Sequence, residues 1–209
     1  MLHKILFIHG AAQSAEIAKI RLEPLIKKLR FVAQFVFMDA PYLFANNNVE
    51  EKKTTEINPK IDRINALQKR QWWTSINHSD KVWTYDTGKE SIQYATKFIQ
   101  ENGPFTCLMG FSQGGSVCQF LPSDIINAFS HLVFVGSYPV ENVVGLTRYQ
   151  THPKTLHVGG SKDIIVPIAV SQELGKVYES TSDFFMHDKA HCVPTSKEFA
   201  DALILFLSK

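Results

Sequence analysis

Short unbroken apolar runs alternate along this chain with stretches whose apolar residues recur at helical spacing, and that alternation predicts the elements. From Lys4 to His9, the residues Ile5, Leu6, Phe7 and Ile8 are apolar on both faces, as in a strand buried within a parallel sheet. Ser14 to Leu29 places Ile17, Ile20, Leu25 and Leu29 at roughly helical intervals, with Ser14 as N-cap. Phe31 to Met38 reads as a second strand, closed by Asp39-Ala40-Pro41. Lys89 to Gln100 carries Ile92, Ala95, Thr96 and Ile99 on one face, a helix that Asn102-Gly103-Pro104 ends. Further buried strands are expected from His131 to Val135, Lys154 to Val158 and Asp183 to His187. Helices are expected from Ser171 to Tyr178 and from Ser196 to Leu207, the second showing Phe199, Leu203, Leu205 and Phe206. There is no internal repeat. Alternation of this kind specifies an α/β protein, a three-layer sandwich with a mostly parallel central sheet.

Between Tyr42 and Asp86 the rhythm is lost, and an excursion out of the sheet is expected there. Asn46 to Asn58 is polar enough to be a disordered linker, whereas Trp72, Trp73 and Trp83 must pack against something. Either they pin the excursion to the core, or at least one covers a substrate cavity, with Tyr138, Phe44 or Val166 as neighbours.

The stretch from Phe105 to Phe120 combines a short apolar run, the turn Gly110-Phe111-Ser112-Gln113-Gly114 and a helical segment. This is the G-x-S-x-G nucleophile elbow, in which a strained turn lifts a serine above the end of a strand. The two glycines leave room for the neighbouring strand and helix. An attacking serine needs a base and an acid that orients it. Asp163 follows one strand in Asp163-Ile164-Ile165-Val166-Pro167, and His191 follows the last. Asp183 and Asp188 compete for the acid's role, but only Asp163 follows the strand before the last one. The amides of Gln113 and Ala11 are the expected oxyanion donors. Gln13 either braces that first loop or is a solvated helix-start residue, and His9 is expected to bond backbone.

Composition narrows the partners. A chain of 209 residues fits a single domain, 1–209, and 22 basic against 20 acidic side chains leave a charge of +2, with no field suited to nucleic acid. A small molecule is the expected partner. Three cysteines, Cys107, Cys118 and Cys192, make no disulfide framework and suggest a reducing compartment, with Cys107 and Cys118 as core residues. Residues 1–10 lack the features of a signal peptide, no run is long enough to span a bilayer, and Leu207-Ser208-Lys209 has the letters of a peroxisomal signal in the wrong order. A cytoplasmic protein is the expectation. His187-x-x-x-His191 has zinc-helix spacing, but Asp188 stands where glutamate is required and Pro194 follows too soon, so no metal is expected. Gly159-Gly160 lacks the rest of a nucleotide fingerprint, and no cofactor is expected.

Taken together, His9-Gly10-x-x-Gln13-Ser14, Asp39-Ala40-Pro41, Asn102-Gly103-Pro104-Phe105, the elbow, Asp163-x-x-Val166-Pro167 and His191-x-Val193-Pro194 resemble the fungal FSH-type serine hydrolases, related to the ovarian-cancer-associated serine hydrolase. The resemblance covers nearly the whole chain and implies a compact α/β-hydrolase fold, a Ser112–Asp163–His191 triad and carboxylesterase-like activity. Thioester hydrolysis by the same residues is the alternative, and a binding protein that kept the fold without turnover is the reading from another class.

Overall fold

A computed structural model describes residues 2–44, 59–77, 83–140, 153–178 and 182–209, with the side chains of 75–77 and 83–86 outside that description. The expected linker at Asn46–Asn58 and the Trp83 side chain thus lie outside the described residues. In chain order the elements are β1 (His3–Ile8), α1 (Ala15–Leu29), β2 (Ala33–Met38), β3 (Tyr42–Leu43), α2 (Pro59–Ala66), β4 (Arg70–Gln71), β5 (Thr74–Asn77), β6 (Trp83–Asp86) and α3 (Gly88–Asn102). They continue with β7 (Cys107–Phe111), α4 (Gln113–Cys118), α5 (Ser123–Ile126), β8 (His131–Val135), β9 (Lys154–Gly160), α6 (Ile168–Val177), β10 (Ser182–His187) and α7 (Lys197–Leu207).

Six strands form one parallel sheet in the order β10-β9-β8-β7-β1-β2. Because successive side chains of a strand point to opposite faces, the apolar runs feed two cores at once. Leu6, Ile8, Leu108, Leu132 and Phe134 pack with Ile92, Ala95 and Ile99 of α3 on one side. Ile5, Phe7, Cys107, Met109, Val133 and Val135 pack with Leu22 and Leu25 of α1 and Phe199, Leu203 and Phe206 of α7 on the other. Burial pushes the thiols of Cys107 and Cys118 well above their ordinary range, which makes them packing groups. The strand order reverses between β1 and β7, and in open sheets the crevice at such a switch point collects the chemistry.

Several element boundaries differ from the pattern reading for local reasons. Strand β2 starts at Ala33 because the turn after α1, closed by Val32 N–H donating to the Leu29 carbonyl at 2.8 Å, throws Phe31 outward under the Arg30 guanidinium. Helix α6 begins at Ile168 because Pro167, extended at φ −52° and ψ 145°, occupies its N-cap. Ser14 caps α1 as expected, its Oγ accepting from Ile17 N–H at 3.2 Å.

His157 in β9 gives the fold an acid limit. Its imidazole is 1% exposed, packs against both Phe134 and Tyr178 with centroids at 5.1 and 5.7 Å, and makes no hydrogen bond among the described residues. Burial pushes it down from 6.5 to about 4. Between those values the unfolded chain binds a proton that the folded chain refuses, so the contribution is intact above the unfolded value and is lost as pH falls toward the folded one. Urea midpoints are expected to show the protein losing about 2 kcal/mol more than His157→Phe between pH 6.5 and 5. Parallel pH profiles would contradict this.

Candidate active site

The β7–α4 junction holds Ser112 at φ 52° and ψ −122°, a conformation that costs a non-glycine residue about 1–3 kcal/mol. Surrounding contacts enforce it. Ser112 N–H donates to the Val135 carbonyl at 2.9 Å, while its own carbonyl accepts from Gly115 and Ser116. A Cβ on Gly110 would lie 2.6 Å from the Gly115 Cα, and one on Gly114 only 2.2 Å from the Ile8 carbonyl oxygen. The start of α4 therefore sits flush against both strands, and the serine stands at the switch point.

Three strand ends converge on its hydroxyl. Ser112 Oγ is 3.0 Å from His191 Nε2, and His191 Nδ1 is 2.6 Å from Asp163 Oδ2. A carboxylate only accepts, so this network places the proton on Nδ1 and leaves the Nε2 lone pair facing the serine. Asp163, 6% exposed, receives Ile165 N–H and Val166 N–H on Oδ1, both at 2.9 Å, so its second oxygen is aimed at the ring. The other acids are engaged elsewhere: Asp183 accepts from Lys209 at 2.5 Å and Asp188 pairs with Lys189 at 3.4 Å. The arrangement can move a proton from Oγ to Nε2 and stabilise the resulting imidazolium.

Opposite the histidine, the loop after β1 turns at Ala12, with φ 56°. The N–H groups of Ala11 and Gln113 donate to no acceptor among the described residues. His9 bonds backbone: Nδ1–H donates to the Gly10 carbonyl at 2.7 Å, and Nε2 accepts Ala40 N–H at 3.0 Å. Burial pulls its pKa down, in keeping with a neutral ring. Asp39 accepts Ala15 N–H at 2.7 Å, so Asp39-Ala40 ties the ends of β1 and β2 to the start of α1. Gln13 is not solvated. It is 7% exposed, and its carbonyl accepts Arg70 N–H at 2.6 Å.

Of the two roles expected for Trp72 and Trp73, their burial fits pinning to the core and not a place over a substrate cavity. They are 0% and 1% exposed and belong to the core beside α3. Trp72 Nε1–H donates to the His9 carbonyl at 2.8 Å, and Ser91 Oγ–H donates to the Trp72 carbonyl. The Gln113 carboxamide completes the strap, accepting Trp72 N–H at 2.8 Å and donating to the Trp73 carbonyl at 3.0 Å. The indoles hold the excursion against the elbow. Gln113→Ala would remove both hydrogen bonds and the partner of the buried Trp72 N–H, and a loss of about 1–3 kcal/mol in unfolding free energy is expected from urea midpoints. A loss below about 0.5 kcal/mol would show that the strap is held without it.

Tyr138 is half-buried beyond the end of β8, where its carbonyl accepts from Gln119 at 2.9 Å. Val166 is buried beside Asp163. Two further residues hold the histidine and escaped the pattern reading. Gly136, at φ 50°, leaves room for the ring: a Cβ there would come within 3.1 Å of His191 Cε1. Phe111 packs on the ring with centroids 4.8 Å apart. A glycine directly after the His131–Val135 run was the available signal for the first.

Comparison with known proteins agrees with this architecture. The chain is 27% identical over 228 residues to a Xenopus tropicalis protein named esterase OVCA2, covering 98% of this chain and 94% of that protein. It is 29% identical over 212 residues to a Schizosaccharomyces pombe protein named dihydrofolate reductase, covering 91% of this chain but 44% of that protein. The chain spans about half the length of this and another fission-yeast relative. Among solved structures, Arabidopsis thaliana SOBER1 superposes with a TM-score of 0.65 at 13% identity, covering 100% of this chain and 98% of the other, a likeness of fold. A model of the serine hydrolase (FSH1) family matches residues 1–203, and the chain belongs to that family.

Proposed function

We propose that this chain hydrolyses carboxylic esters through an acyl-enzyme on Ser112. The observation that carries the reading is the continuous relay from Ser112 Oγ through His191 to Asp163, at 3.0 and 2.6 Å, above a strained elbow. Ser112 attacks the carbonyl carbon as His191 Nε2 takes its proton. The Ala11 and Gln113 amides receive the oxyanion, each worth about 3 kcal/mol of transition-state stabilisation. His191 then protonates the departing alcohol, and water, activated by the same imidazole, releases the acid. Tyr138 and Trp83, whose side chain lies outside the described residues, remain as candidates among the expected substrate contacts, since Trp72 and Trp73 are committed to the strap. The esterase name of the frog relative favours the same reaction.

The reading is tested with 4-nitrophenyl acetate and its thioester counterpart under stopped flow. Ester hydrolysis predicts turnover of the oxygen ester, with any burst limited to one equivalent of 4-nitrophenol per chain. Preference for the thioester would move the assignment to thioester hydrolysis, and inertness toward both would leave a binding protein on a hydrolase scaffold.

A further inference from the structure

A cavity of about 470 Å³ opens beside the relay, with His191 and Phe111 on one side and α1 and α2 on the other. Its floor is apolar, built from Phe7, Leu22, Phe111 and Val193. Its polar lining includes Gln13, Arg21 and Lys60, and among the described residues no aspartate or glutamate lines it. Gln13 is 7% exposed, yet its carboxamide makes no hydrogen bond among the described residues. The Arg21 guanidinium likewise has no ion pair or hydrogen bond among them. Lys60 lies 4.0 Å from Glu23, whose carboxylate Lys27 already holds at 2.8 Å.

A carboxamide that opens on the cavity without a protein partner, beside a guanidinium without one, is a set of donors awaiting an acceptor. The planar guanidinium fork matches a planar carboxylate, and the apolar floor matches a short hydrocarbon or aromatic stem. His191 is shared between this cavity and the serine, and it is the group that hands the proton to the departing alcohol. Resting on the hydrolase reading above, we propose that the cavity takes the leaving-group half of the substrate, and that this half is an alcohol or phenol whose apolar stem ends in a carboxylate. Ser112 Oγ bonds to the acyl carbon, the carbon–oxygen ester bond breaks, and the alcohol leaves with the proton from His191 Nε2. Water then cleaves the acyl-enzyme, so ester and water yield an acid and a hydroxy-carboxylate. Arg21, Gln13 and Lys60 determine specificity without entering the chemistry.

The test compares kcat/KM for 4-acetoxybenzoate with that for 4-methylphenyl acetate, taken as a ratio in each protein so that intrinsic reactivity cancels. Arg21→Gln is expected to lower that ratio at least about tenfold, with partial recovery in Arg21→Lys. Lys60→Gln and Gln13→Glu should shift it in the same direction. Binding of 4-hydroxybenzoate, measured by titration calorimetry, should weaken about tenfold in Arg21→Gln, and this arm needs no turnover. Hydrolysis of both esters with an unchanged ratio would overturn the cavity assignment while leaving the hydrolase reading intact. Arg21-dependent binding without hydrolysis of either ester would do the reverse for the hydrolase reading. Product binding indifferent to Arg21, Lys60 and Gln13 would also overturn the assignment.

Discussion

Ser112→Ala is expected to lower kcat on a simple acetate ester by about 10⁶-fold while leaving the urea midpoint within error of the parent. The size of the loss follows from the relay, since without Oγ the imidazole has no proton to accept and the acyl-enzyme has no anchor. The small effect on stability follows from the backbone. Ser112 is held at φ 52° by the Val135 carbonyl and by the packing of Gly114 against β1, and alanine occupies that conformation at the same steric cost as serine. Glycine does not share that cost. Ser112→Gly should therefore be equally inactive and more stable than Ser112→Ala, by about 1 kcal/mol. Activity in Ser112→Ala within tenfold of the parent would remove the serine from the nucleophile's role. A glycine variant less stable than the alanine one would show that the elbow is not strained.

Asp163→Asn should cost about 10⁴-fold in kcat with little change in the substrate's KM. The aspartate accepts three hydrogen bonds: Ile165 and Val166 N–H on Oδ1 and His191 Nδ1 on Oδ2. An asparagine has one oxygen, and the two backbone donors claim it. Its amide NH₂ then faces the ring and donates to Nδ1, which drives the imidazole proton to Nε2 and removes the lone pair that Ser112 requires. Because the backbone contacts survive, a urea midpoint close to the parent's separates this tautomer effect from unfolding. A kcat within tenfold of the parent would place the orienting acid elsewhere.

The parts legible in the sequence were those written by period and punctuation. The six sheet strands match the expected runs to within two residues; the late start of β2 comes from the tight turn at Val32, which no periodicity encodes. Ser112, Asp163 and His191 could be singled out because each follows a strand end, where turn residues interrupt an apolar run. The strap was not legible. β3 and β4 are two residues each, too short for any period, and α2 buries none of its residues, so no apolar face marks it. The orientation of Trp72 depends on a partner, the Gln113 carboxamide, 41 positions away in the chain, and on the carbonyl of His9. The tryptophans of the excursion left pinning and coverage of a cavity equally open, because the partners of Trp72 and Trp73 that decide for pinning lie far away in the chain. The cavity beside His191 was equally hidden, since Gln13, Arg21 and Lys60 meet there only through the packing of α1, α2 and the 191–195 loop.

The central claim is that Ser112 is the nucleophile, and the most direct measurement is reaction with a fluorophosphonate followed by intact-mass and peptide mapping. One adduct per chain on the peptide containing Ser112, absent in Ser112→Ala and strongly slowed in Asp163→Asn, is the predicted result. An adduct on another serine, or undiminished labelling of Ser112→Ala, would contradict it.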